Sequence, residues 1–149
     1  MRIGEICVRD VITAARETPV LEAARLMRSR HVGDVVVIET GKRGPVPVGI
    51  VTDRDIVVGI IAPRIDVSRL TLGDVMGRDL ITVPEAQDVF ETVEQMQRHG
   101  VRRLPVIDKE GFLFGIVSID DLVQFLAIHL SELSRIVTRE RRQEMEARP

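Results

Sequence analysis

Two short stretches carry the residues whose types and spacing could do chemistry. Thr52-Asp53-Arg54-Asp55 and Ser118-Ile119-Asp120-Asp121 each place a hydroxyl three residues before a carboxylate, directly after an apolar run that ends in Gly-Ile-Val. One reading is structural. The pattern resembles a capping box at a helix start, in which hydroxyl and acid satisfy each other's backbone N–H groups. The other reading is a binding site, because a strand–turn–helix junction presents free N–H groups and a positive dipole end. Such an end suits phosphate, whereas a neighbouring carboxylate suits a pair of ribose hydroxyls. A phosphate beside Asp55 or Asp121 would be repelled, so it needs a separate cation. Arg102-Arg103, just before Leu104-Pro105-Val106-Ile107, can supply one, and surface salt bridges are the alternative use of that pair.

The remaining reactive side chains do not assemble into a catalytic pattern. His31, His99 and His129 are scattered, and helix-end roles suffice for them. Cys7 has no histidine near it in sequence and reads as a buried thiol. Asp53, Asp55, Asp120 and Asp121 would meet Mg²⁺ through a nucleotide's phosphates rather than as a metal site of their own. Gly41-Lys42-Arg43-Gly44 lacks the spacing of a phosphate-binding P-loop and reads as a turn. The expectation is a binding protein with no metal and no obligatory cofactor, not an enzyme.

What positions the two junctions is a duplication. Ile3–Glu39 lies over Leu72–Asp108 at a constant shift of 69 residues. Gly4, Arg9, Asp10, Ile12, Thr13, Val20, Glu22, Met27, Val32, Val37 and Ile38 then meet identical residues. Three extra residues in the loop of the first copy reduce the shift to 66, which sets Gly49-Ile50-Val51-Thr52 on Gly115-Ile116-Val117-Ser118 and Asp55 on Asp121. Copies of about 60 residues are small for independent cores, so the two should pack on each other about a pseudo-twofold axis.

Each copy reads as strand, helix, strand, strand, helix. The expected strands are Val11–Thr13 and Leu80–Val83, then Val35–Ile38 and Leu104–Ile107. The first helices are Val20–Arg30 and Val89–His99, with Leu21, Ala24, Met27 and Phe90, Val93, Met96 on the inner face and Gly33 or Gly100 as the stop. The fold class is α/β (α+β), two pseudo-twofold-related β-α-β-β-α repeats packed sheet to sheet. The first repeat spans 1–66, with Ala62–Leu70 as linker, the second spans 67–130, and a helix extension and tail fill 131–149. Leu122, Leu126, Leu130, Leu133 and Val137 form an apolar stripe. It either folds back over its own core or makes a dimer or partner contact.

Composition narrows the function classes. The chain has 149 residues, 44% of them hydrophobic, and only four Phe with no Trp or Tyr, so Val, Ile and Leu must build the core. A net charge of −2 lacks the basic excess that general nucleic-acid binding requires. No apolar run reaches the roughly 18 residues of a membrane span, and no secretory leader pattern opens the chain. With one cysteine and no internal disulfide, a cytoplasmic setting is expected.

If the acid of one copy works with the pre-strand pair of the other, Thr52/Asp55 team with Arg102/Arg103. Ser118/Asp121 then team with Gly33/Asp34, which lacks a cation, adds an acid and makes a poor phosphate site. A base would lie between Ile12, Val32 and their counterparts Ile81, Val101.

The doubled pattern resembles the cystathionine β-synthase (CBS) domain, which occurs in tandem pairs called Bateman modules. The likeness covers roughly residues 3–130. Its carriers are Asp10-x-Ile12-Thr13, Asp79-x-Ile81-Thr82, Arg103-Leu104-Pro105-Val106, and Gly-Ile-Val-Thr/Ser-x-x-Asp at 49–55 and 115–121. The resemblance implies a regulatory module for AMP, ADP or ATP, with S-adenosylmethionine in the same range, that acts on a separate partner protein. It implies ribose contacts from Thr52/Asp55 and Ser118/Asp121, and base and phosphate contacts from Val32-Gly33-Asp34 and Val101-Arg102-Arg103. Base contacts also come from Ile12 and Ile81. One strong site is expected per chain: Thr52, Asp55, Arg102 and Arg103 with Ile12, Val32, Gly33 and Asp34. Ser118, Asp121, Ile81 and Val101 make a weaker second one. The family also implies homodimers. An interaction scaffold whose nucleotide site is vestigial is the alternative.

Overall fold

A computed structural model describes residues 1–148. A one-turn 3₁₀ segment, Ile3–Glu5, precedes the first repeat, which runs β1 (Thr13–Ala15), α1 (Val20–Arg30), β2 (Asp34–Thr40), β3 (Pro45–Thr52) and α2 (Asp53–Ile56). α2 continues as a π-helical turn, Val57–Ile61. After a 3₁₀ turn at Val67–Arg69 come α3 (Leu72–Val75), β4 (Val83–Pro84), α4 (Val89–His99), β5 (Arg103–Ile107), β6 (Leu113–Ser118) and α5 (Ile119–Ala147). Each repeat forms a three-stranded sheet, β1-β2-β3 or β4-β5-β6, with its first pair parallel and its second antiparallel. Both sheets slip register at equivalent positions, between Val37 and Ile38 and between Val106 and Ile107. The two sheets approach each other along β3 and β6.

Local chemistry explains where the repeats depart from expectation. The first strands begin later than the sequence reading placed them, at Thr13 and Val83. This leaves Asp10, Val11 and Ile12 outside the ladder, although the Ile12 carbonyl still accepts from Val36 N–H at 2.9 Å. Pro105 occupies the place of Val36 in the second repeat and has no N–H to give, and β4 is accordingly shorter than β1. Helices α1 and α4 have the expected bounds, but the buried stripe is Val20, Ala23, Met27 and Val89, Thr92, Met96. Leu21 and Phe90 face solvent. Both candidate stripes pass through the same methionine, so spacing alone does not choose between them. The left-handed stop of α1 is His31, with φ 55°, and not Gly33; Gly100, with φ 64°, is its counterpart in α4.

The cores are two, and each is closed by chain from the other half. One contains Val83, Val89, Met96, Leu104, Val106, Val117 and Leu122 of the second repeat together with Ile3 and Cys7. The other contains Val20, Ala23, Met27, Val35, Val37, Val51, Ile56 and Ile60 of the first repeat together with Leu72. Ile3 N–H donates to Gln87 O at 2.8 Å and Gly4 N–H to Glu85 O at 2.9 Å. At the equivalent positions Leu72 N–H donates to Thr18 O at 2.9 Å and Gly73 N–H to Arg16 O at 2.8 Å. The exchange continues onto the sheets, where Val8 pairs with Ile116 on the edge of β6. The glycine of each junction strand makes room for this packing rather than for a ligand. A Cβ on Gly115 would meet Cys7 Sγ and Val8 O at 2.8 Å each, and one on Gly49 would collide with Met76.

Ile3 and Leu72 are both fully buried. Truncating either to alanine is expected to cost about 2–5 kcal/mol, the range for buried aliphatic deletions. Urea unfolding of Ile3→Ala and Leu72→Ala checks this. Each variant should still unfold in one transition, because neither half keeps its core without the other. Two separated transitions would show that the halves fold on their own.

Candidate functional site

The two hydroxyl–acid pairs are capping boxes. Thr52 N–H donates to Asp55 Oδ2 at 2.8 Å and Asp55 N–H to Thr52 Oγ1 at 3.1 Å. Ser118 N–H and Oγ–H reach Asp121 Oδ2 at 2.7 and 2.6 Å, and Asp121 N–H returns to Ser118 Oγ at 3.3 Å. Caps of this kind contribute about 1 kcal/mol each. The two junctions nonetheless sit in different surroundings. Asp55 is exposed, whereas Ser118 and Asp121 are half-buried in the wall of a cleft.

That cleft, of about 340 Å³, lies where the repeats meet. The first repeat contributes Ile12, Val32, Gly33 and Asp34, and the second contributes Arg103, Ser118 and Asp121. The volume falls at the lower end of the range for small-molecule pockets. The acid of one copy is therefore gathered with the pre-strand pair of the other, in the combination Ser118/Asp121 with Gly33/Asp34. Thr52, Asp55, Arg102, Ile81 and Val101 are not part of this cleft. Thr52 and Asp55 cap α2, Arg102 is exposed, and Ile81 and Val101 pack against the second core. Sequence reasoning had not assigned Asp10 or His31 to the lining. The constant shift could have drawn attention to His31, since it sets that residue on Gly100, a helix stop.

Arg103 does not stand free. Its Nε lies 2.7 Å from Asp34 Oδ2, and both side chains are mostly buried. Asp34 and Arg103 are equivalent positions of the two repeats, so the pair spans the pseudo-twofold axis. Gly33 leaves room beside it, because a Cβ there would sit 3.0 Å from Arg103 Nη2 and 3.2 Å from Asp53 Oδ2. Burial pushes the Asp34 carboxyl above the usual carboxylate range; Arg103 opposes the shift, while Asp53 and Asp121 add to it. Carboxylates outnumber cations at this place, with Asp34, Asp53 and Asp121 set around Arg103, and Asp34 already pairs with the arginine.

A carboxyl whose folded pKa is raised contributes most below its unfolded value, about 3.9, and loses that contribution as pH rises through the folded value. The stability of Asp34→Asn relative to the parent chain should therefore increase with pH across that interval. Urea midpoints between roughly pH 3.5 and 6.5 measure it, and a flat difference would show that burial does not perturb Asp34.

Known proteins match this arrangement. The family model described as the CBS domain matches residues 3–62 and 72–128. An uncharacterized protein of Methanopyrus kandleri is 36% identical over 82% of this chain and 61% of its own length. Inosine-5′-monophosphate dehydrogenase of Thermoplasma acidophilum is 34% identical over 79% of this chain, yet the match spans only 22% of the enzyme. A solved CBS domain pair in complex with 5′-methylthioadenosine and S-adenosyl-L-methionine superposes with a TM-score of 0.73, covering 85% of this chain and 96% of that one at 23% identity. That last likeness is one of fold.

Proposed function

The chain belongs to the CBS-domain family and carries the domain twice in tandem, and from that premise we propose a regulatory module that binds an adenosine compound between its repeats and modulates a separate protein. The observation that carries this is the cleft itself, with Ile12 and Val32 as an apolar bed and Ser118/Asp121 as a hydroxyl–acid pair. Asp121 uses Oδ2 for the cap, which leaves Oδ1 to accept from ribose hydroxyls. AMP, ADP, ATP and S-adenosylmethionine share the base and ribose that these groups would hold. The adenosine ligands of the solved domain pair support the same class. Catalysis is not part of the reading: Ser118 and Asp121 are engaged in a cap, and Asp34 and Arg103 in an ion pair. The module works in the cytoplasm, where the free thiol of Cys7 stays reduced.

Regulation follows from the place of the cleft. A ligand that touches Ile12–Asp34 on one side and Ser118/Asp121 on the other binds best at one arrangement of the two repeats. It shifts the population toward that arrangement, and a partner that reads the difference responds. A stretch similar to this chain within a longer dehydrogenase supports coupling to another activity.

Thermal unfolding with AMP, ATP, S-adenosylmethionine and GMP tests the reading. At about 100 times its Kd, a ligand stabilises the fold by roughly 2.7 kcal/mol. Adenosine compounds should raise the midpoint and GMP should not. Ser118→Ala/Asp121→Ala should abolish the shift, whereas Thr52→Ala/Asp55→Ala, which lies outside the cleft, should keep it. If no adenosine compound shifts the midpoint, the chain is an interaction scaffold.

The module is further proposed to work as a homodimer. α5 runs for 29 residues, about 43 Å, and does not fold back over the core. Val123, Leu126, Leu130, Leu133 and Val137 stay 40–66% exposed along it. Their alternating steps of three and four residues are those of a coiled-coil seam. Leu130→Glu/Leu133→Glu should convert a dimer to monomer in light scattering after gel filtration, with the helix content retained. A parent chain that runs as a monomer would sink the idea.

A further inference from the structure

We infer that the cleft selects adenosine compounds with a cationic or uncharged 5′ substituent over those carrying 5′ phosphates, and that Asp34 is the selecting residue. The inference rests on the adenosine reading of the cleft and says which members of that class it takes. Its basis is the charge arrangement. Asp10, Asp34 and Asp121 line the cleft, against Arg103 and His31. Arg103 is committed through Nε to Asp34 at 2.7 Å. With its charge met by one carboxylate, the arginine leaves Asp10 and Asp121 without an ion-pair partner among the described residues.

Position within the site gives the charge its effect. The apolar bed of Ile12 and Val32 and the pair Ser118/Asp121 account for base and ribose. What is left for a 5′ substituent is the polar wall at Gly33, Asp34 and Arg103. A phosphate there lies against Asp34 as well as Arg103, because the two side chains are joined at 2.7 Å. It either breaks the ion pair, leaving a mostly buried carboxylate without its partner, or shares the guanidinium with Asp34 and is repelled by it. A sulfonium meets the opposite situation, since its charge compensates carboxylates already held in place by the fold. Burial raises the proton affinity of Asp34 and Arg103 opposes the rise, while Asp53 and Asp121 add to it. The second repeat has Arg103 where the first has Asp34, so the acid occupies only one of the two equivalent positions.

Isothermal titration of S-adenosylmethionine (cationic), 5′-methylthioadenosine (neutral) and AMP (anionic) at low salt tests the selection. The parent chain should bind the first two at least tenfold more tightly than AMP. Asp34→Asn removes the charge at nearly constant shape and frees Arg103. It should weaken S-adenosylmethionine fivefold or more, strengthen AMP by a similar factor, and leave 5′-methylthioadenosine within about twofold. AMP binding to the parent chain as tightly as S-adenosylmethionine overturns the selection while the adenosine reading stands. So does an Asp34→Asn that shifts all three ligands alike. If none of the three binds, the adenosine reading falls and the selection with it. The ranking on the parent chain decides the matter even where the variant is unstable.

Discussion

The structure depends on an exchange: the segment that opens each repeat closes the core of the other. Ile3 is buried among side chains of the second repeat and Leu72 among those of the first. Each brings a backbone hydrogen bond to an equivalent carbonyl, Gln87 or Thr18. A repeat of this size buries too small a fraction of its surface to be comfortable alone. Borrowing a fully buried aliphatic side chain, worth roughly 1.5–3 kcal/mol of burial, helps to make up the deficit. The borrowing also ties the halves to each other, because Ile3 and Leu72 each sit in a dry site of the opposite repeat. A cleft between two such halves is preorganised by the cores beneath it.

The glycine of each junction strand belongs to the same exchange. Gly115 is approached by Cys7 and Val8 of the N-terminal segment, and Gly49 by Met76, which follows α3. Cys7 and Met76 are equivalent positions, so the close approach is itself duplicated. The strand ends that carry Thr52 and Ser118 are thus backed by chain from the opposite half, while the hydroxyls stay on the rim. Construction uses only part of these few residues. The glycine accommodates the exchanged segment, the hydroxyl and acid cap the helix, and the unused carboxylate oxygen of Asp121 remains available.

Much of this was legible in the sequence because the duplication checks itself. Val20–Arg30 and Val89–His99 were read with the bounds the structure has, since two copies of one amphipathic pattern leave little freedom over where a helix lies. Val32, Gly33, Asp34, Ser118 and Asp121, which residue type and order single out, line one cleft between the repeats. The exchange was not legible: the alignment shows that Ile3 and Leu72 are equivalent, but an apolar side chain carries no label for the core it enters. Nor was the engagement of Arg103. Reading it as a free cation is natural from Arg102-Arg103 alone, because contact with Asp34 becomes visible only once the axis is located between them. The choice of Leu21 and Phe90 as inward residues failed for a simpler reason, since a helical stripe can be shifted by one residue and still end on Met27 and Met96.

The axis explains why the two halves cannot be identical at one place. A pseudo-twofold brings a position near it against its own counterpart, and here the counterparts are Asp34 and Arg103. An exact duplication would set aspartate against aspartate or arginine against arginine, like charges in a mostly buried setting that neither water nor a partner relieves. Divergence to one acid and one base converts that repulsion into the 2.7 Å ion pair. The same divergence sets the charge of the cleft, because the acid lies beside the Ser118/Asp121 junction. Asymmetry of the cleft is therefore built into the contact between the halves. An internally duplicated fold with charge on its axis must break its own symmetry there, and any ligand site that shares the axis inherits the break.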